Sequence, residues 1–349
     1  MRIMLVYWAF EDQGSGLLIS GYARAAREMG HEVVVYGRPI PNIPLDYSMD
    51  VESADALVYI FEWTTDLLRG DNLDFARLSK IPKRRTVILD GDGNYNDRIS
   101  ADGDYNHRDE AARNKWIAIC DSLAEKICQP TLHPLRRNVR PFLFYSYNPQ
   151  WEVPLNQAGK ELGMVYVGHS KFRWRPLSRV LKAIEPIRDQ VGRIGLVGHG
   201  WDALPPWAAP MKMEDAYYTD REYLRKLRVE ALPPIPFQQV IQWMSKAYFN
   251  PILSRPTFVR MRIVTPRFFE TPAANTFPLF NLDDAYVNEV YGETALELVL
   301  PEGNAHEKIA DMLDRPEHYA GIVHGIRRHL AAKHSQQQRL KELIRIIES

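Results

Sequence analysis

The chain has 349 residues, of which 45% are apolar, so it is long enough for two domains with separate cores. Lys and Arg together number 44, as do Asp and Glu, which leaves a formal net charge of zero. This balance excludes a global field that would gather duplex DNA or an anionic membrane. Any anion must therefore be bound by a local cluster of charges.

The cysteines and the opening segment restrict the class of protein. Cys120 and Cys128 cannot build a disulfide framework, and their spacing is not that of metal ligands. The opening run MRIMLVYWAF is too short for a signal peptide or a membrane span. We therefore expect a buried first strand, no bound metal, no membrane span and a cytoplasmic location.

Strand and helix patterns alternate in the first half of the chain. The apolar run at 3–8 is followed by helical spacing over 16–31, which Gly30 is expected to end, and then by the apolar run EVVVYG. Further strands are predicted at 56–61 and 85–90. This order predicts a parallel sheet with helices on its faces.

The same pattern starts again near residue 163. Residues 140–162 are rich in aromatic residues and prolines, and we interpret them as an interdomain link. Strands are predicted at 163–170 and 193–200 with a helix between them, and the chain ends in helices; the proline-rich segment 204–236 remains unassigned. The pattern predicts an α/β protein with two doubly wound, Rossmann-like domains.

Open parallel sheets bind ligands at the carboxyl ends of their strands, and two such sheets that face each other enclose a cleft. One strand-end loop in the first domain contains Gly14 and Gly16, which would let a ligand approach the backbone N–H groups of a helix start. A tight turn without a ligand is the alternative. The dinucleotide fingerprint is incomplete, because position 19 is Ile19 and the second strand ends in Gly37 and Arg38, so a nicotinamide enzyme is disfavoured.

Two loops in the second domain are candidates for binding phosphates and a ribose. The first is GHSKFRWRP, which contains Gly168, Ser170, Lys171, Arg173 and Arg175. A glycine, a hydroxyl group and three basic side chains together are typical of diphosphate binding. A solvated basic turn is the alternative.

The second of these loops is TPRFFE. Pro266 suits a first helical turn, which puts Arg267 and Glu270 on one helix face. There the glutamate is placed to accept the hydroxyls of a ribose and the arginine to reach phosphate oxygens. An exposed ion pair of little energetic value is the alternative.

Several segments resemble a known family. TPRFFETPAANTFPLF (265–280), YGETALELVLPEGNAHEKIADMLDRPEHY (291–319) and HSQQQRLKELIRII (334–347) resemble the C-terminal half of GT-B glycosyltransferases, particularly group-1 relatives typed by the spore maturation protein CgeB. GYARAAREMGHEVVVYG (21–37), YNPQWEVP (147–154) and MVYVGHS (164–170) are similar to the opening unit, the interdomain segment and the first donor-domain strand of that family. The resemblance implies a GT-B fold, a nucleotide-sugar donor held by the C-terminal domain, an acceptor held by the N-terminal domain, and no metal or other cofactor.

The resemblance also assigns residues. Glu270 matches the glutamate that binds the donor ribose, Arg267 matches the arginine before it, and Gly168 to Ser170 match the donor-phosphate turn. Eight residues before Glu270, where many group-1 enzymes have another glutamate, stands Arg262. Whether the reaction retains or inverts the anomeric configuration therefore stays open.

An inverting enzyme needs a general base in the first domain. Asp90 and Asp92, at the end of the fourth predicted strand, are the candidates, with turn formation by DGDGNYND as the alternative. Calcium binding is rejected, because position 12 of such a loop would be Ala101. His169 and His199 are weaker as bases and are interpreted as donor-side residues.

We expect a metal-independent glycosyltransferase that moves a sugar to a polar acceptor such as a sugar, a nucleoside or a nucleotide base, with nucleic acid not excluded. The alternatives are a sugar-nucleotide epimerase or phosphorylase of the same fold, and a non-catalytic sugar-nucleotide-binding module. The acceptor-side domain is expected at 1–150, the donor domain at 151–330, and a helix that packs back on the first domain at 331–349. The basic cluster around Arg327 and Arg328 is interpreted as a solvated helix face.

Overall fold

The structure is a computed structural model that describes residues 1–7, 15–40, 43–61, 74–105 and 110–349. Its first half contains a parallel sheet with the strand order β2-β1-β3-β4-β7-β8, and a short antiparallel hairpin, β5–β6, stands apart from this sheet. The strands are β1 (Arg2–Val6), β2 (Glu32–Tyr36), β3 (Ala56–Phe61), β4 (Thr86–Asp90), β5 (Ser100–Ala101), β6 (Asp104–Tyr105), β7 (Lys126–Gln129) and β8 (Val139–Pro141).

Helices cover both faces of this first sheet: α1 (Ser15–Glu28), α2 (Phe75–Leu78) and α3 (Glu110–Leu123). Side chains alternate along β1, so Ile3 and Leu5 join the core that includes α1, while Met4 joins the core that includes Trp116 of α3. Gly30 ends α1 as predicted, with φ at 75° and the His31 amide bonded to the Ala26 carbonyl at 2.8 Å.

The second half contains another parallel sheet, with the order β11-β10-β9-β12-β13. Its strands are β9 (Leu162–Val167), β10 (Ile194–Val197), β11 (Val229–Leu232), β12 (Ala247–Ile252) and β13 (Phe277–Phe280). Every residue of β9, the central strand, is buried. The predicted α/β class with two parallel, helix-covered sheets is confirmed.

The second half is also rich in helices. They are α4 (Trp174–Ile184), α5 (Arg188–Val191), α6 (Arg221–Lys226), α7 (Val240–Met244), α8 (Pro256–Met261), α9 (Arg267–Ala273), α10 (Asp284–Tyr291), α11 (Ala305–Asp314), α12 (Pro316–Lys333) and α13 (Gln336–Glu348). Within the described ranges, none of the helices combines the length and the apolar character needed to cross a bilayer.

The last helix, α13, lies against the first half of the chain. The Gln336 amide oxygen accepts a hydrogen bond from Arg24 of α1 at 2.9 Å, and Gln337 donates to Glu28 at 2.9 Å. At the far end of α13, Lys126 of β7 donates to the Ile347 carbonyl at 2.6 Å. These contacts tie the end of the chain to the first sheet.

Candidate donor and catalytic site

Loops at the carboxyl ends of the two sheets meet between the halves of the chain. Residues 100–105 follow β4 and contact α8, which follows β12. In the same segment, Asp102 pairs with Arg175, which follows β9. On the side nearer β7, the Val264 amide donates to the Pro130 carbonyl at 2.7 Å. Segments that follow β4, β7, β9 and β12 therefore border one cleft.

A cavity of about 230 Å³ opens beside this cleft, between α1, the segment 145–151, the turn into α7, and α9. Its lining residues are Leu18, Tyr145, Ser146, Trp151, Phe237, Gln238, Val240, Ile241, Pro266 and Glu270. Two buried atoms of this lining, Ser146 Oγ and Glu270 Oε2, have no hydrogen-bond partner among the described residues. A ligand that offers hydroxyl groups to both and an apolar face to the other walls would suit this cavity.

Helix α9 presents Glu270 to the cavity. The helix begins at Arg267, directly after Pro266, as predicted. Arg267 Nη1 lies 3.1 Å from Glu270 Oε2, and the two side chains are only 19% and 8% exposed, so the pair is not the exposed ion pair of the alternative interpretation. Burial raises the pKa of Glu270, and the Arg267 charge opposes that rise. The result is a desolvated carboxyl group at the cavity wall that can accept further hydrogen bonds.

The other end of α9 is held by Arg327 of α12, which is 3% exposed. Its guanidinium donates to four backbone carbonyls, those of Val153, Pro272, Ala273 and Ala274. The prediction of a solvated helix face is therefore wrong for Arg327, although it holds for its exposed neighbour Arg328. Because α9 ends at these carbonyls, Arg327 stabilises the helix that carries Glu270.

The loop after β9 is tightly folded. Gly168 has φ at 155°, and a Cβ on Gly198 of the neighbouring loop would lie 2.5 Å from the Gly168 carbonyl oxygen. The Ser170 amide donates to the His199 carbonyl at 2.9 Å, while the Ser170 side chain is fully buried, with its hydroxyl 3.5 Å from the Tyr217 carbonyl. The Ser170 hydroxyl thus turns into the protein and shapes the loop, in contrast to the predicted contact with a phosphate.

Basic side chains gather where this loop faces the first sheet. Lys171 and Arg173 follow the loop, and Arg255 follows β12; all three charges lower the pKa of Asp92 from across the cleft. Arg173 Nε is buried without a hydrogen-bond partner among the described residues, and burial lowers the pKa of its guanidinium. Lys171, Arg173 and Arg255, called the cation cluster below, form an arrangement that an anionic ligand would stabilise.

The two predicted histidines lie in the loops after β9 and β10. His169 stays exposed to solvent, but enclosure by the cleft, followed by the charges of Arg173, Lys171 and Arg255, lowers its pKa. It is therefore neutral near pH 7. His199 packs edge-on against Trp207, with ring centroids 4.9 Å apart.

Asp90 and Asp92 have different surroundings. Asp90 is fully buried and accepts hydrogen bonds from the amides of Asn94 at 3.0 Å and Tyr95 at 2.7 Å, and from Gln129 Nε2 at 2.8 Å. Burial raises its pKa to about 6 despite these hydrogen bonds. Asp90 thus has the turn-forming role that was the alternative in the sequence, and the carboxylate of Asp92 has no hydrogen-bond or ion-pair partner within the described part of the chain.

The structure describes only one of the two glycines predicted to let a ligand approach the first strand-end loop. Gly16 lies in the first turn of α1, where a Cβ would stand 2.8 Å from Ile43 Cδ1 and 3.1 Å from Ile40 Cδ1. Close packing against these side chains therefore accounts for Gly16. Gly14 lies outside the described residues.

Sequence reasoning missed Arg255, Asp104 and Ser146. Asp104 and Arg255 are 151 residues apart, yet their side chains approach to 2.6 Å. Ser146 lies in the segment interpreted as a link, where no local pattern marks it as a ligand-facing residue. None of the three carries a periodic or motif signal, so only the fold brings them to the site. Among the residues that the structure describes, no group of three His, Cys, Asp or Glu side chains could hold a metal ion.

Comparisons with known proteins support the fold and the class. Residues 175–345, close to half of the chain, match the model of a family described as glycosyl transferase-like. No curated protein matches the chain.

Three solved structures resemble the whole chain. T4 phage BGT in complex with UDP and Mn²⁺ is 15% identical with a TM-score of 0.59, over 100% of both chains. An alpha-glucosyltransferase in complex with UDP and a 13-mer DNA is 14% identical with a TM-score of 0.64, also over 100% of both chains. A complex of alpha-glucosyltransferase with UDP and DNA containing an HMU base is 13% identical with a TM-score of 0.58, over 100% of this chain and 99% of the other.

The two parallel sheets, the cleft between them and these structural likenesses define the GT-B fold. With the family match over the second half, the chain is a glycosyltransferase of that fold.

Proposed function

We propose that the protein transfers glucose from UDP-glucose to a hydroxyl group on a base of DNA, in the cleft and without a bound metal. The observation that carries this proposal is the cavity between the two halves of the chain, where buried Ser146 Oγ has no hydrogen-bond partner among the described residues and Glu270 Oε2 has only its ion pair with Arg267. The kinship to CgeB-like relatives, the domain boundaries and the cytoplasmic location remain predictions.

The cavity suits the nucleoside of the donor. Glu270 Oε2 accepts hydrogen bonds from ribose hydroxyls, Ser146 Oγ supplies a further polar contact, and the Gln238 amide offers both donors and acceptors to a base edge. Trp151 and Phe237 supply apolar surface for the rest of the nucleoside. Uridine is proposed because UDP occupies the similar structures.

The cation cluster suits the diphosphate. Lys171, Arg173 and Arg255 place three positive charges near Asp92, and Asp104 pairs with Arg255. Guanidinium and ammonium groups balance the charge that develops on a leaving diphosphate. These side chains supply the charge compensation that a metal ion would otherwise provide, which is why we propose metal-independent transfer.

Asp92 is proposed as the general base. It takes the proton from the acceptor hydroxyl while the acceptor oxygen forms a bond to the anomeric carbon, and the bond from that carbon to the UDP oxygen breaks with its electron pair on UDP. This single displacement inverts the anomeric carbon. It needs no second carboxylate, which agrees with Arg262 at the position of the missing family glutamate, where it pairs with Asp283 and Glu289.

The acceptor is proposed from the DNA complexes of the similar structures. The internal nucleotides of unmodified DNA offer no free hydroxyl, so the acceptor base must itself carry one. A hydroxymethylated base meets this requirement, and one of the similar structures contains an HMU base. Because the chain has no net charge, we expect the DNA to be held by local contacts at the cleft.

Calorimetry with UDP, GDP, dTDP and CDP sugars tests the donor site. We expect UDP-glucose to bind, and Glu270→Ala or Arg267→Ala to weaken binding roughly 10- to 100-fold, because each loses a hydrogen bond or ion pair to a charged group worth about 1.5 to 3 kcal/mol. Glu297→Ala is the matched control, since that carboxylate is exposed and pairs with His318. Unchanged binding in both variants would show that Arg267 and Glu270 do not bind the donor.

Product analysis separates the proposal from its rivals. Labelled UDP-glucose is incubated alone, with unmodified duplex DNA, and with the same duplex containing one HMU base. We expect label in the modified duplex only. A new sugar nucleotide from the donor alone would favour an epimerase, and binding without any turnover would favour a non-catalytic module.

A further inference from the structure

A buried contact joins the hairpin β5–β6 of the first half to α8 of the second. Asp104, which is fully buried, accepts hydrogen bonds from Arg255 Nη2 at 2.6 Å and Nε at 3.2 Å. It also accepts from the Thr257 amide at 3.1 Å and the Thr257 hydroxyl at 2.6 Å. A single carboxylate thus receives four hydrogen bonds from the start of α8 and from the residue before it, which satisfies its acceptor capacity.

Arg255 is constrained from the other directions as well. Its guanidinium carbon lies 4.7 Å from the centroid of the Phe172 ring and 4.8 Å from that of Phe258, so the cation is held between two aromatic rings. Its side chain is 17% exposed. A guanidinium held this way has little freedom to follow a moving loop, so it fixes the position of Asp104.

The same hairpin follows directly from the loop that carries Asp92. That loop is anchored before Asp92 by the hydrogen bonds of Asp90, and after it by Asn96, whose Nδ2 donates to the Gly93 carbonyl and lies 3.4 Å from Met261 Sδ of α8. Ile99 packs with Phe258 and Met261 in a small apolar cluster. Asp104 therefore provides a buried charged contact between the segment 90–105 and the second half of the chain, whereas the pair of Asp102 with Arg175 is exposed.

From this geometry we infer that Asp104, through Arg255 and Thr257, is a positioning residue that holds the Asp92 loop opposite the cation cluster. The inference rests on the proposed function, because it assigns Asp92 the role of base. Arg255 has two tasks in this arrangement: it faces Asp92 in the cation cluster and it carries the contact that sets the distance between the two halves of the site. If residue 104 were uncharged, its contact with Arg255 would weaken, and the segment 90–105 could move away from the second half of the chain.

The test uses the full-length chain and compares Asp104→Asn, the milder Thr257→Val and the double variant with the parent. We expect single-turnover transfer from UDP-glucose to HMU-containing duplex to slow about 10- to 100-fold in Asp104→Asn and about 3-fold in Thr257→Val, while the calorimetric Kd for UDP changes less than twofold. Asp102→Asn is the matched control on the same hairpin, since it breaks only the exposed pair with Arg175, and its transfer rate should equal that of the parent.

Hydrogen exchange provides a measurement that does not depend on activity. Amides of residues 90–105 should exchange faster in Asp104→Asn than in the parent and in Asp102→Asn, with amides of β1 and β9 unchanged. A parent-like transfer rate in Asp104→Asn, or a Kd for UDP that weakens as much as the rate slows, would overturn the inference. If the parent transfers no glucose to DNA, the proposed function fails. The positioning role is refuted separately if the amides of residues 90–105 exchange at the same rate in Asp104→Asn and in the parent.

Discussion

Burial separates the roles of Asp90 and Asp92, although both follow β4. Asp90 is enclosed, and three hydrogen bonds use its oxygens to shape the loop. Asp92 is only partly buried and faces the charges of Lys171, Arg173 and Arg255. Asp90 therefore has a structural role as a hydrogen-bond acceptor, whereas Asp92 is the proposed base.

Replacing Asp92 tests that assignment. We expect Asp92→Asn to reduce kcat by about 10²- to 10⁴-fold, because the amide cannot take the proton of the acceptor hydroxyl. Donor binding should change less than tenfold, since Asp92 does not line the cavity proposed for the nucleoside. Single-turnover transfer and calorimetry measure the two quantities, with the exposed Asp97→Asn as control. A parent-like rate in Asp92→Asn would require another base.

The pH dependence of transfer provides an independent test. Enclosure in the cleft raises the pKa of Asp92, and the charges of Arg255, Lys171 and Arg173 oppose the rise. A base must be deprotonated to act, so kcat should fall as the pH falls through this raised pKa, which lies above the ordinary value of about 3.9. Arg255→Gln removes a charge that lowers the pKa of Asp92. In this variant the fall of kcat at acid pH should therefore begin at a higher pH than in the parent. A shift to lower pH would contradict the proposed proximity of the two groups.

At the scale of single elements, α9 is short and depends on residues outside it. Pro266 precedes its start, its own Pro272 lies near its end, and Arg327 from α12 supplies donors to the carbonyls there. A helix of two turns has little intrinsic stability, so tertiary contacts must hold it. Glu270 is therefore positioned by α12 as well as by its own helix.

Substitution of Arg327 tests this dependence. We expect Arg327→Met to lower the free energy of unfolding by about 3 kcal/mol or more, because buried carbonyls lose a charged donor. Urea denaturation measures the change. Arg328→Met is the matched control on the same helix; its side chain is exposed, and its effect should stay within about 0.5 kcal/mol. Equal effects in both variants would show that Arg327 does not support α9.

At the scale of the whole molecule, α13 links the end of the chain to its beginning. Leu340 and Leu343 of α13 are fully buried in the same core as Ile3 and Leu5 of β1. The first sheet therefore has one of its faces completed by the last residues of the chain.

The substitution Leu343→Ala tests this link. It should destabilise the protein by about 2 to 5 kcal/mol, because it leaves a cavity in a packed core. Hydrogen exchange should rise in β1 and α1, which are far from residue 343 in sequence, with less change in β9 and β12. Exposed Lys341→Ala is the control. Faster exchange confined to α13 itself would show that the last helix does not stabilise the first sheet.

Local patterns were enough to predict most of the regular elements. Apolar runs identified β1 to β4 and β9, and the period of α1 and its glycine stop were visible in the sequence. The short strands β7 and β11 were not predicted, because KICQ and VEAL contain charged or polar residues and are too short to show a period. The apolar run LELVLP (296–301) is typical of a strand, but its first three residues belong to a 3-10 helix over 293–298, and Val299 forms only an isolated bridge with Phe280.

The sequence by itself determined the fold class and the helix start that carries Arg267 and Glu270, because these depend on local periodicity and on residues close together in the chain. Only the tertiary structure decided that Asp90 shapes a loop, that the Ser170 hydroxyl turns inward, and that Arg327 is buried. It also joined Asp104 to Arg255 and set Ser146 beside Glu270. Burial and long-range pairing arise when distant segments pack together, and no short stretch of sequence carries that information.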